Sequence, residues 1–523
     1  MISKKRSLIV ALATAVVLAI GGCAADGEGS GSPTAGGSAG EPVSGGTLRV
    51  LEVAQPTGFD PVQVFSSASM PITYTALYGR FIIADPETGG YTCGLCQSFD
   101  TEDGGATWTV TTRPGMTFTD GTAFDAAALK YNWDRMKDPQ FGSASAGIAS
   151  QIDHIDVVDE TTAKLTMVVP TPGLEGLFPI YALQWIASPT ALEKGQNEFN
   201  KNPVGAGPFV LDSWTPNGLL TLKKNPDYYD APKPYLDSLE IQGVTDETQR
   251  MNSLLSGESD LIMTSDRSTI SQAESAGFID HTYILNGGVG IMFNEAKPPF
   301  DDVRARQAVS YALDLDKIAD SVSNGADTAP ETLFNEDSPF FEDLPLHTYD
   351  PEKAQELFDE LAAEGKPLDF QYTVFPGNAT RVFDALQSQL KAYDNVTVTA
   401  DQRDTSQQGV VGTTGDYQSL TSSVAFVDPG SRLWGQFSSK ADRTNYSRFS
   451  DPEMDAALDA QFETADVEEQ KAQWKIVQER YIALQPYLLY SHSAFSAVTT
   501  DAVGGVDVYG YTTPPAADLW LQQ

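Results

Sequence analysis

The sequence predicts an α/β protein of two or three lobes, held outside the cytoplasm on an N-terminal tether. Three observations predict it. Strand-like alternation and helix-like periodicity are interleaved along the whole length. The part of the 523-residue chain beyond residue 46 is too long for a single hydrophobic core. The first 46 residues pair a short apolar leader ending in cysteine with a Gly/Ser-rich stretch.

Lys4, Lys5 and Arg6 form a basic start, followed by an apolar run from Leu8 to Ile20. That run is too short to span a bilayer as an ordinary helix and has the length of a signal-peptide core. It ends Ile20-Gly21-Gly22-Cys23, which resembles a bacterial lipobox with Ile where Leu is commoner. The expectation is a signal peptide over 1–22 and acylation of Cys23, since two or more acyl chains anchor stably. An ordinary secretory signal with an incidental cysteine is the alternative. Residues 23–46 then read as a flexible lipidated linker; eight of the 23 residues from Ala24 on are Gly and none is aromatic, so they bury too little apolar surface to fold. Within it, Gly36-Gly37-Ser38-Ala39-Gly40 matches the G-x-S-x-G pattern, but no strand precedes it, so it is linker and not a nucleophile elbow.

The chain has 33 basic and 71 acidic residues and a net charge of −38. Such a surface repels nucleic acid and anionic bilayers and favours a soluble monomer. Besides Cys23 the cysteines are Cys93 and Cys96, spaced C-x-x-C. Outside the cell a local disulfide is the expectation, with a labile redox pair as the alternative. His154, His281, His347 and His492 are far apart in sequence, so no metal and no cofactor are expected.

Among the elements, Thr107-Trp108-Thr109-Val110-Thr111 alternates as a half-buried strand, with residues 99–105 as the turn before it. The acidic residues of that turn lack the spacing and closing Glu of a calcium loop. Leu165, Met167 and Val169, and Leu220 and Leu222, alternate likewise. Asp350-Pro351 supplies an N-cap and a first helical residue; Ala354, Leu357, Phe358, Leu361 and Ala362 mark its apolar face and Gly365 its end. Asp451-Pro452 begins another helix, and Ala305, Ala308, Val309, Ala312 and Leu313 trace a third.

Four stretches carry a more specific signal. They are Gly46-Thr47-Leu48-Arg49-Val50 with Gly58-Phe59-Asp60-Pro61; Thr107-Trp108 through Asp120-Gly121-Thr122 to Tyr131-Asn132-Trp133-Asp134-Arg135; Asn202-Pro203-Val204-Gly205-Ala206-Gly207-Pro208-Phe209 with Asn225-Pro226-Asp227-Tyr228-Tyr229; and Phe293-Asn294 with residues 298–308. In this order they resemble the dipeptide/oligopeptide/nickel-binding proteins of ABC importers, family 5 of the extracellular solute-binding proteins. The motifs themselves read as scaffold: Pro114-Gly115 and Asp120-Gly121 as turns, Gly205 and Gly207 as sites of unusual backbone angles, and Asp302 as a helix cap. Arg304 and Arg306 read as surface or interlobe salt bridges.

The resemblance implies a periplasmic-binding-protein-like fold whose two lobes close about a hinge on a small solute. Lobe one would span 47–283 with an extra subdomain at about 86–203, lobe two 284–490, and 491–523 would return to lobe one. It implies a peptide ligand, ABC permease subunits as partners, an extracytoplasmic site at the membrane and no catalysis. One departure stands out. Family members that bind peptides anchor the free amine on an aspartate within a Trp-x-x-Asp-x-x-Asp-Pro pattern, whereas here the stretch runs Ser422 to Pro429. Aligned on Asp428-Pro429, the anchoring position is Ala425, so either Asp428 takes the role or the solute is an opine, an oligosaccharide or a nickel complex. Candidate pocket residues are Ser66, Ser67, Arg403, Phe426, Asp428 and Trp434: hydroxyls, a guanidinium suited to a carboxylate, and rings able to stack. A secreted enzyme or a sensor are the rival classes; no metal-protease, P-loop or credible nucleophile motif supports the first.

Overall fold

The computed structural model describes residues 40–64, 70–84, 90–171, 173–404, 407–441, 444–464, 466–508 and 514–522. Cys23, Ser66 and Ser67 lie outside the described residues. Two mixed sheets organise the chain. The first has seven strands in the order Ile279–Ile284, Ala494–Thr499, Leu261–Thr264, Thr47–Glu52, Ser238–Gly243, Leu220–Lys224 and Phe209–Trp214. Thr47–Glu52 runs parallel to both neighbours and the other pairings are antiparallel. The second has five, in the order Val396–Gln402, Leu368–Val374, Ser419–Ser423, Val289–Phe293 and Tyr487–Ser491.

These sheets are the cores of two lobes. The chain leaves the first sheet at Ile284, enters the second at Val289, and returns from Ser491 to Ala494. Two short crossovers therefore join the lobes, and they run against each other: a Cβ on Gly288 would sit 2.5 Å from the Ser491 carbonyl oxygen. Val289–Phe293 is apolar on both faces because both are covered. Ile291 and Phe293 enter one core of the second lobe, Met292 the other. A third, antiparallel sheet of four strands (Cys96–Asp100, Thr107–Thr112, Thr162–Met167 and Ile152–Val157) lies beside the first lobe's core, with the Ala126–Lys137 helix packed on it.

The predicted elements appear where their caps put them. Asp350 caps Pro351–Ala363 through the Lys353 N–H (3.0 Å), and Asp451 caps Pro452–Ala460 through Met454 (2.8 Å). The turn before Thr107 is tied by Asp103, which accepts from the Thr107 N–H at 2.8 Å. Val169 lies beyond its strand and is exposed.

The motifs turn out to hold one another. Asp60, fully buried, takes both Nη atoms of Arg135 at 3.0 and 2.8 Å, joining the first motif to the second. Asn225 of the third donates to the Gly207 carbonyl at 2.9 Å, and Asn294 of the fourth to those of Gly415 and Tyr417. Two expectations change. Gly205 and Gly207 keep ordinary dihedrals; glycine is needed there because a Cβ would stand 2.2 Å from the Leu77 carbonyl and 2.3 Å from that of Ala76. Arg304 makes surface bridges as expected, with Asp302 and Glu364, whereas Arg306 is buried within the second lobe and pairs with Glu295 and the carbonyls of Phe300 and Leu484, not between lobes. Gly45, inside the predicted linker, donates to the Tyr235 carbonyl at 2.8 Å.

Candidate solute site between the lobes

A cavity of about 930 Å³ lies where the four-stranded subdomain meets the second lobe. One wall comes from Tyr91 and from residues 147–181, including Ile148, Val168, Val169, Leu177 and Tyr181. The other comes from residues 426–463, including Phe426, Asp428, Arg432, Trp434 and Phe462. The lining is mainly apolar with a few polar groups, the chemistry of a small-molecule site.

The second wall is positioned from the hinge outward. Asn286 of the first crossover exchanges backbone hydrogen bonds with Phe426, both at 3.0 Å. Phe426 is fully buried against Phe334 (ring centroids 5.3 Å apart) and touches the cavity from the core side. Two residues on, Asp428 caps the Pro429–Phe437 helix by accepting the Gly430 N–H at 3.0 Å. Burial pushes its carboxyl above the usual aspartate range. The helix then carries Arg432, whose Nε and Nη2 donate to the carbonyls of Ala425 (3.3 Å) and Ser423 (3.2 Å). Trp434 donates its indole N–H to Asp459 (3.0 Å), which also pairs with Lys440.

The first wall meets this helix at Gly176. A Cβ there would lie 2.9 Å from the Asp428 Oδ2 and 3.0 Å from the Tyr91 hydroxyl oxygen. The adjacent Glu175 has a buried Oε2 with no hydrogen-bond partner among the described residues. Burial pushes its carboxyl up to about 7, and the Asp428 charge adds to the effect. Two carboxyls, one per lobe, thus approach each other where the walls touch.

The comparisons agree with this architecture. Residues 91–444 match the family model described as bacterial extracellular solute-binding proteins, family 5 Middle. The chain belongs to that family. Its relatives include the glutathione-binding protein GsiB of Pectobacterium atrosepticum, 28% identical over 411 residues, covering 75% of this chain and 79% of the relative. GsiB of Escherichia coli strain K12 is 29% identical over 303 residues, covering 57% of this chain and 58% of the relative, so that match spans under two thirds of its length. Among solved structures, AgaA from A. tumefaciens R10 in complex with agropinic acid superposes with a TM-score of 0.75 at 24% identity, over 91% of this chain and 99% of that one. DppA from Helicobacter pylori in complex with peptide STSA gives 0.75 at 20% identity, over 92% and 99%. These are two-lobed binding proteins. The family member described here is a binding protein and not an enzyme.

Of the residues singled out in the sequence, Phe426, Asp428 and Trp434 lie on one wall of the cavity. Arg403 is elsewhere. It follows the edge strand Val396–Gln402 and is held by Asp401 (2.8 Å) and Asp416 (3.2 Å), so its charge is already matched within the lobe. Ala425 is buried, with its carbonyl turned to Arg432. The Cys93 and Cys96 sulfurs lie 1.95 Å apart beside the same subdomain. Glu175, Gly176 and Arg432 were not singled out from sequence. Arg432 carried a usable signal, four residues past the Asp428-Pro429 helix start. Glu175 carried none, because it sits in a single 3-10 turn, Leu174–Leu177, too short to show periodicity.

Proposed function

We propose that this family member is the lipid-anchored substrate-binding component of an ABC importer, closing on a peptide-like solute between its lobes and presenting it to the permease. The cavity walled by both lobes is the observation that carries the reading: a solute seated there contacts each lobe and favours their closed arrangement. The names of the relatives point the same way, since glutathione and STSA are both peptides. Asp428 and Trp434 are the proposed contacts, with Phe426 as the floor; Ser66 and Ser67 are further candidates outside the described residues. Cys23 is the proposed lipid attachment, and Cys93–Cys96 a structural disulfide of the subdomain.

A second reading rests on Ala425, which, aligned on Asp428-Pro429, stands where peptide-binding members place the amine-anchoring aspartate. It favours a non-peptide solute such as an opine, in line with the agropinic acid complex of AgaA. Native mass spectrometry of the full chain, before and after denaturation, separates the two. A mixture of short peptides supports the first reading, and a single non-peptide mass replaces it with the second.

A further inference from the structure

We propose that Arg432 is the anchor for a carboxylate of the solute, which makes the cavity selective for acids over the corresponding amides. This deepens the reading above and rests on the cavity being the solute site. Arg432 is half-buried on the Pro429–Phe437 helix and lines the cavity. Its guanidinium presents five N–H donors in a fixed fork. Two nitrogens are braced by the neutral carbonyls of Ala425 and Ser423, and Nη1 has no hydrogen-bond partner among the described residues.

No carboxylate forms an ion pair with Arg432 among the described residues, in a chain with 71 acidic residues against 33 basic ones. The other cations near the site behave differently. Lys440, in the same cavity, is matched by Asp459, and Arg403, away from it, by two aspartates. Asp428, one turn earlier on the helix, spends its Oδ1 on the Gly430 N–H and forms no ion pair with Arg432. A guanidinium that is braced but not neutralised, against an apolar wall, binds a carboxylate more strongly than the same group in water. With Asp428 also unmatched by a cation among the described residues, the cavity complements a solute carrying both signs of charge.

Calorimetric titration of the full chain tests this with Ala-Ala-Ala, glutathione and gluconate, each compared with its carboxamide. The wild type is expected to bind the acid about 10- to 100-fold more tightly than the amide, the range for a charge-assisted hydrogen bond. Arg432→Gln should abolish that difference, and Arg432→Lys should keep part of it. Because Arg432 also braces two carbonyls, ligand-free melting temperatures of both variants are compared, and the lysine form carries the test if the glutamine form fails to fold. Equal binding of a peptide acid and its amide overturns the assignment and leaves the peptide reading standing, as does discrimination that survives in Arg432→Gln. Arg432-dependent preference for gluconate with no peptide binding keeps the assignment and overturns the peptide reading. Binding of none of the acids overturns both.

Discussion

Gly176→Val is expected to weaken solute binding while leaving the ligand-free fold intact. The Cβ alone would sit 2.9 Å from the Asp428 carboxylate and 3.0 Å from the Tyr91 hydroxyl oxygen, against an ordinary contact of 3.4 Å or more. The seam must therefore open by about 0.5 Å for one carbon, and further for the two γ-methyls of valine. Overpacking of this kind costs about 1–3 kcal/mol where the site cannot relax. Gly176 and Asp428 belong to different lobes, so the open state escapes the Asp428 contact, whereas the Tyr91 contact lies within the first wall and is present in both states. The Asp428 part of the penalty then appears in affinity, about 5- to 100-fold, and not in the melting temperature of the ligand-free protein. Titration with the solute recovered from the wild type, followed by fluorescence, measures the first, and a thermal scan without solute the second. A melting temperature lowered by several degrees with affinity unchanged would refute the reasoning, because it would make the contact permanent packing and not a closing seam.

Three further outcomes are expected. Glu175 is held near 7 in the closed seam and returns toward 4.5 when exposed, so closure takes up a proton. Its contribution to the closed state is full below about pH 4.5 and lost as pH rises through 7; small-angle scattering should show a more compact ligand-free protein at pH 5 than at pH 8, with the difference reduced in Glu175→Gln. Glu52, fully buried, accepts the N–H groups of Ile72 and Thr73 and the Thr73 hydroxyl, yet burial still pushes it up to about 7. It therefore contributes on the order of 3 kcal/mol of folding stability below pH 4.5 that disappears above 7, and urea midpoints at pH 5 and pH 8 should differ less in Glu52→Gln than in wild type. At the hinge, Asp327 accepts from the Ser491 hydroxyl (2.7 Å), the His492 N–H (3.0 Å) and ring nitrogen (3.0 Å), with the Arg267 Nε of the first lobe 4.0 Å away. Asp327→Asn removes the charge that spans the lobes and should raise the solute off-rate about 5- to 30-fold in stopped-flow measurements, an unchanged rate counting against a latch.

What the sequence made legible was local. Asp-Pro pairs announced helices because a carboxylate cap and a preset φ act within one turn, and the result is seen at Asp350 and Asp451. Family motifs were legible as scaffold because their polar residues are spent on internal bonds, as Asp60 is on Arg135 and Asn225 on the Gly207 carbonyl. Most of the misses lay in contacts between segments distant in sequence. That Gly205 and Gly207 answer to the carbonyls of Leu77 and Ala76, over a hundred residues earlier, has no local signature. Arg403 looked available for a ligand, although Asp401, two residues before it on the same side of an extended strand, was already positioned to claim it. Glu175 and Asp428 come together only through the meeting of two lobes, and no pattern in either segment announces the other.

On the proposed function, one solute is held between the subdomain wall formed by Tyr91 and cavity-lining residues of 147–181 and the second-lobe wall that carries Asp428, Arg432 and Trp434. Hydrogen–deuterium exchange of the full chain with and without its recovered solute tests it most directly. Slowed exchange is expected on both walls together, and at the crossovers around Asn286 and His492. Protection confined to one lobe, or to a surface away from Asp428 and Trp434, would contradict it.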